Sequence, residues 1–247
     1  MIKQRAKIAV LLVVIAAVTS FAAIAEPFKS VFAKEKQLPV YSVETDEKKI
    51  SISFDCAWGV EHTDEILSAL KEYDVVCTFF AVEFWVRTYP EYAKKIVDAG
   101  HELQTHSSTH SHMSKMSVES IKAELITSCK AIEDVTGQKV TLFRCPFGEY
   151  DNDVILTARA LGLQVVQWDV DSLDWKDLTA DQIAARVLSK TKSGSIILCH
   201  NNGKFTAKAL PLIFAALKGN GFTFVKISDL VYFDDYKIDA NGRQKRI

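Results

Sequence analysis

The chain has 247 residues, 30 basic and 31 acidic, with 48% hydrophobic residues and five cysteines. That length allows one large domain or two small ones, and the ordinary globular composition excludes a disordered or collagen-like chain. A formal charge of -1 gives no electrostatic case for nucleic acid as a partner.

Residues 1–25 read as a signal peptide or an N-terminal membrane anchor. Residues 8–25 carry no charge and follow Lys3, Arg5 and Lys7, with no acidic residue before Glu26. A basic start followed by an apolar run is the pattern of an export signal. Ala23-Ile24-Ala25 fits a small-x-small cleavage site, but the run is also near the lower length for a membrane-spanning helix, so both fates stand open. Either places the rest of the chain outside the cytoplasm, and an uncleaved leader makes the membrane a partner. Without the three leader cations the remainder holds 27 basic against 31 acidic residues, a net charge of -4, which disfavours adhesion to anionic polymers. Cys56, Cys77, Cys129, Cys145 and Cys199 are odd in number and form no CxxC pair. They argue against a disulfide scaffold and for burial or a weakly oxidising setting.

Residues 26–47 are mixed and polar, with Pro27 and Pro39, and read as a linker. From Ile50 a rhythm begins in which ISISF, VVCTFFAV, ELQTH, TLFRC, VVQWD, SIILC and FTFVKI alternate with helical patterns. Continuous apolar strands separated by helices predict a parallel sheet covered on both faces. Ile121, Leu125, Cys129 and Ile132 share a helical face ending at Gly137, and Thr179 with Gln182 forms a capping box. The pattern predicts an α/β fold in one domain, a distorted (β/α) barrel of seven parallel strands over residues 48–232. A flat doubly wound sheet is the alternative. Residues 233–247 read as a polar tail.

In a parallel barrel the loops after the C-terminal strand ends build the active site. Asp55, His106, His110, Arg144, Asp171, Asp174 and His200 all fall at such ends. His106 and His110, four apart with His112 nearby, can bind one metal ion if their turn is helical or tight, or can simply meet solvent and backbone. Neutral imidazoles holding a metal would lower the pKa of a bound water. Asp55 is either a cap or salt-bridge partner of Arg144, or a base oriented by Arg144. His200 is suited to protonate a leaving amine, and Asp174 either polarises it or caps the following helix. Trp58, Phe84, Trp85 and Trp175 are candidates for stacking on sugar faces or for core positions.

The order Ser-Phe-Asp, His-Ser-x-x-His, Arg-x-Pro-x-Gly, Asp-Ser-Leu-Asp-Trp and Leu-Cys-His resembles the five ordered motifs of polysaccharide deacetylases, carbohydrate esterase family 4 or the NodB-homology domain. The stretches SFDCAWG, TLFRCPFGEYD and QWDVDSLDWKDL resemble the subgroup associated with bacterial spore formation. The resemblance spans about residues 48–232. It implies a seven-stranded barrel that hydrolyses N-acetyl groups on cell-wall polysaccharide, of peptidoglycan or spore-cortex type, to acetate and a free amine. It also implies a divalent metal, zinc above all. By the same resemblance Asp55 is the general base braced by Arg144, His106 and His110 are metal ligands, and His200 is the general acid supported by Asp174. Leu198 and Trp175 line the acetyl pocket, and an oxyanion faces the metal and a backbone N–H near Phe147. The family pattern has a second aspartate after Asp55 that completes an Asp-His-His triad, and here Cys56 stands there. Cys56 is either a third ligand or a buried small residue, with Glu61, His62 or Asp64 as replacements, or else the metal site is lost and the chain is a catalytically impaired glycan-binding or sporulation protein. Cys145 and Cys199 also lie in motif strands, so the three thiols are expected to cluster near the mouth.

Overall fold

The computed structural model describes residues 35–247. The leader and the first part of the linker lie outside the described residues. Among the described residues no helix is long and apolar enough to cross a membrane.

Eleven strands are described: β1 (Ser42–Val43), β2 (Lys49–Cys56), β3 (Thr78–Ala81), β4 (Glu102–Thr105), β5 (Leu142–Phe143), β6 (Gln164–Val165), β7 (Val170–Asp171), β8 (Ile196–His200), β9 (Thr223–Phe224), β10 (Tyr236–Ile238) and β11 (Arg243–Arg246). Seven of them form one parallel sheet in the order β6-β5-β4-β3-β2-β8-β7, with β9 paired to the start of β2. This is the expected distorted barrel. Helices carry the crossovers between sequentially neighbouring strands that pair in this sheet, as parallel pairing requires.

The pleat sorts side chains into two layers. Ile50, Ile52, Phe54 and Cys56 of β2, with Ile197 and Cys199 of β8, pack in the larger core beneath the helices. The residues between them, Ser51, Ser53 and Asp55 on β2 and Ile196, Leu198 and His200 on β8, take the opposite face. A second, smaller core of Val40, Phe80, Leu142, Val166 and Ile196 fills the inside of the barrel. Apolar packing thus closes one end, and polar residues occupy the strand ends at the other.

Helix Val118–Thr136 buries Ile121, Leu125 and Ile132 as predicted, and Gly137 ends it in a left-handed conformation at φ 71°. Thr179 and Gln182 make the predicted capping box on helix Ala180–Lys190.

The chain edges depart from the sequence reading. The segment read as the end of a linker joins the fold: Val40 bridges Val166, just after edge strand β6, and Ser42 bridges Ser195, just before β8. Residues 233–247, read as a polar tail, carry a hairpin of β10 and β11, and β11 pairs with β1. Asp239 turns that hairpin by accepting from the backbone N–H of Asn241 and Arg243. A polar strand on a small sheet needs no apolar run, which is why composition concealed it.

His101 is buried against the Phe79 ring, 5.8 Å between centroids, and burial pushes its pKa down to about 4. An unfolded chain takes that proton near pH 6.5, whereas the fold refuses it until about pH 4. Stability is therefore expected to fall as pH drops through this window, and His101→Gln should flatten the slope in urea titrations. An NMR titration placing His101 near 6.5 would contradict the burial.

Candidate active site

A cavity of about 500 Å³ opens at the C-terminal strand ends, lined by Asp55, Ala57, Trp58, His106, His110, Phe147, Trp168, Asp171, Trp175, Leu198, His200 and Asn202. Of the sequence-predicted residues, Asp55, His106, His110, Phe147, Trp175, Leu198 and His200 thus meet in one place. Arg144 and Asp174 lie directly behind them.

Asp55 and His200 are register partners on β2 and β8, which sets both on the inner face at the mouth. Arg144 leaves the end of β5 and crosses the interior, fully buried. Its Nη1 donates to Asp55 Oδ1 at 2.8 Å and to Ser53 Oγ at 2.8 Å, and its Nη2 donates to the Gln167 carbonyl at 3.2 Å. The guanidinium lies 4.2 Å over the Phe80 ring. Burial alone would raise the Asp55 carboxyl. The adjacent Arg144, with His106 and His200, outweighs it and holds the group below the usual carboxylate range. The cavity therefore presents an ionised carboxylate with one oxygen bound and the other turned toward His106.

His106 Nδ1 donates to the Arg144 backbone carbonyl at 2.8 Å, and its Nε2 lies 3.5 Å from Asp55 Oδ2. A carbonyl can only accept, so the proton is fixed on Nδ1 and the Nε2 lone pair faces the cavity. His110 sits 5.0 Å away between ring centroids. Burial lowers both, His110 to about 4, so both imidazoles are neutral at pH 7. The two are brought together by a tight loop in which Ser107 and His110 take positive φ, 74° and 55°. Glu124 fastens that loop by accepting from the backbone N–H of Ser108 and Thr109 at 2.9 Å each. Sequence reasoning missed Glu124; its signal was an acid on the otherwise buried face of helix Val118–Thr136.

His200 Nδ1 donates to Asp174 Oδ1 at 2.7 Å, while Asp174 Oδ2 accepts from the His200 backbone N–H at 2.8 Å and from Thr206 Oγ1 at 2.6 Å. The sequence did not point to Thr206. Gly203 makes this packing possible, since a Cβ there would meet Thr206 Oγ1 at 2.1 Å and Asp174 Oδ2 at 3.0 Å. Burial would lower the His200 pKa, but the Asp174 carboxylate outweighs it and raises the imidazole above its ordinary value.

Cys56 does not join the cavity. It lies on the Phe54 side of β2, fully buried, with Sγ 3.8 Å from the Phe54 carbonyl, and burial raises its thiol well above the ordinary range. A neutral thiol facing the core is no ligand. Asp64 pairs instead with Lys95 and His62 lies 3.8 Å from Glu65, and neither they nor Glu61 lines the cavity. No group of three or more His, Cys, Asp or Glu that could hold a metal ion occurs among the described residues. The residues present thus do not supply the three-donor set that an Asp-His-His metal site requires. The three motif thiols do not gather at the mouth either: Cys56, Cys145 and Cys199 all belong to the core beneath the helices.

A curled parallel sheet with these pairs at its C-terminal strand ends is the layout of a polysaccharide deacetylase domain. The family model described as polysaccharide deacetylase matches residues 42–166, and the chain belongs to that family. It is 32% identical over 193 residues to a Bacillus subtilis protein of undefined role, YlxY, covering 78% of this chain and 60% of that one. It is 33% identical to the peptidoglycan-N-acetylglucosamine deacetylase PgdA of Listeria monocytogenes, covering 74% of this chain and 39% of the relative. The chain thus spans less than two thirds of these two proteins. With a peptidoglycan-N-acetylglucosamine deacetylase of Bacillus cereus it shares 32% identity over 78% of this chain and 92% of the relative. A Bacillus anthracis protein described as a CE4 family pseudoenzyme superimposes with a TM-score of 0.76 at 33% identity, covering 85% of this chain and 70% of that one. A mutant of it is described as having restored enzymatic activity.

Two outcomes test this geometry. Replacing Arg144 by Met leaves Asp55 buried and unpaired, so urea denaturation should show a loss of about 3–5 kcal/mol. Adding Asp55→Asn should recover part of it, and strict additivity of the two changes would contradict the pairing. The raised His200 pKa stabilises the fold below pH 6.5 and this contribution disappears as pH rises through the folded value. Asp174→Asn should therefore destabilise more at low than at high pH and lower the His200 pKa read by NMR; an unchanged His200 titration would contradict the assignment.

Proposed function

We propose that the protein engages N-acetylated cell-wall glycan, of peptidoglycan or spore-cortex type, outside the cytoplasm, as a deacetylase-type protein whose hydrolysis is curtailed at the metal position. The observation that carries this reading is the outward turn of Cys56, which leaves the imidazoles of His106 and His110 without a third donor among the described residues. The described pseudoenzyme with restorable activity supports it, since a chain of this fold can lose and regain hydrolysis.

The remaining groups keep acid–base roles. Asp55, ionised and braced by Arg144, takes a proton from a water attacking the acetyl carbonyl. His200, charged more readily because of Asp174, gives a proton to the departing amine. Leu198 and Trp175 receive the acetyl methyl, and a backbone N–H near Phe147 faces the developing oxyanion.

A second reading, full zinc-dependent N-deacetylation, is favoured by the intact Asp55–Arg144 and His200–Asp174 pairs. Acetate release from N-acetylglucosamine oligomers and cell-wall fragments, with and without zinc or cobalt, separates the two. The parent should release little, with or without added metal, and Asp55→Asn should abolish what release there is. Ready release by the parent that chelator or His106→Ala removes would establish the second reading instead.

A further inference from the structure

The loop that follows β8 carries a reactivity that acid–base chemistry at the mouth does not use. Its sequence, Asn201-Asn202-Gly203, holds one of three asparagine–glycine bonds in the chain, the others being Asn220-Gly221 and Asn241-Gly242. An asparagine before glycine is open to attack on its side-chain carbonyl by the next backbone nitrogen. The asparagine side chain reaches its own backbone, and glycine has no Cβ to block the approach.

The three bonds differ in how firmly the fold holds the attacking nitrogen. Gly221 N–H donates to the Lys218 carbonyl at 2.9 Å and Gly242 N–H to the Asp239 carbonyl at 2.9 Å, and both glycines close their turns at positive φ, 81° and 76°. Gly203 N–H reaches the His200 carbonyl only at 3.4 Å, longer than an ordinary bond of this kind. The group under attack is loose as well. Asn202 is exposed at the rim of the cavity, and among the described residues no hydrogen bond holds its side chain. Its neighbour Asn201 is buried and donates from Nδ2 to the Gly59 carbonyl at 2.8 Å.

We propose that Asn202-Gly203 is a self-modification site, at which the chain converts its own asparagine to aspartate and isoaspartate. The Gly203 nitrogen gives its proton to solvent hydroxide and bonds to Asn202 Cγ. The Cγ–Nδ2 bond then breaks, and the nitrogen leaves as ammonia with a proton returned by water. A second water opens the cyclic imide at either carbonyl, so one amide and one water become one acid and one ammonia, and nothing is oxidised or reduced.

Either product alters the mouth of the cavity. Both place a carboxylate on the wall where an amide now stands, close in sequence to His200. The isoaspartyl form also lengthens the backbone by a methylene in a turn without slack. Gly203 is buried so tightly that a Cβ there would lie 2.1 Å from Thr206 Oγ1 and 3.0 Å from Asp174 Oδ2. The modification therefore reaches the His200–Asp174 pair, which depends on that packing.

Peptide mapping by mass spectrometry of the full chain, held folded at mildly alkaline pH, tests the site. Conversion at Asn202 should run roughly threefold to tenfold faster than at Asn220 or Asn241, the factor for the one hydrogen bond those two must first break. In urea the three rates should converge, because each bond is then only an asparagine before a glycine. Asn202→Gln should stop the reaction at this position. In the isolated isoaspartyl form the His200 imidazole signals should shift by NMR while those of His101, before the start of β4, stay in place. A folded rate at Asn202 no faster than at the other two overturns the site, and so does a difference that persists in urea. Unmoved His200 signals overturn its reach to the acid–base pair.

Discussion

A β-strand can turn only every second side chain toward the inside of a barrel, and in this protein that constraint falls on Asp55 and Cys56. Asp55 takes the inner face beside His200, its register partner, and Cys56 takes the outer face with Phe54 beneath the helices. One pleat therefore decides both what the cavity contains and what it lacks. Carboxylate, arginine, imidazoles and aspartate–histidine pair are assembled on one side, while the thiol at the third donor position is spent on packing.

Holding Asp55 inside a barrel requires a cation, and the structure supplies it from across the interior. Arg144 is fully buried between Phe80 and the polar mouth, and its donors also hold Ser53 and the Gln167 carbonyl, so four strand segments meet at one guanidinium. Removal of either partner would strand a charge away from water. The same residue orients His106 through its own carbonyl, which ties the charge pair and the imidazole tautomer to a single backbone position. The local geometry of a deacetylase site can thus persist for structural reasons even where the metal set is incomplete.

Much of this was legible in the sequence because strand ends carry their chemistry in order: Asp55 after ISISF, His106 after ELQT, Arg144 after TLF, His200 after SIILC. The barrel was legible for the same reason, since buried parallel strands read as apolar runs. What escaped was held by contacts distant in sequence or by elements too short to show a period. The two-residue strand Val170–Asp171 has no pattern to read, and the terminal hairpin is polar on a small sheet. Glu124 fastens the histidine loop from the buried face of its helix, where the only sign of it is an acid among mostly apolar residues. Trp58 and Trp85 were alike in sequence, yet one is exposed at the mouth and the other is buried as its support. Spacing left Cys56 open between ligand and core residue, and only the register of β2 with its neighbours decides for the core.

Cys56 is a packing residue, and among the described residues His106 and His110 have no third protein donor. Cobalt(II) titration followed by optical absorption addresses this directly, because a thiolate bound to cobalt gives a charge-transfer band that imidazole and carboxylate do not. Weak binding without that band is expected, identical in the parent and Cys56→Ala. Stoichiometric binding with a thiolate band that disappears in Cys56→Ala would contradict it.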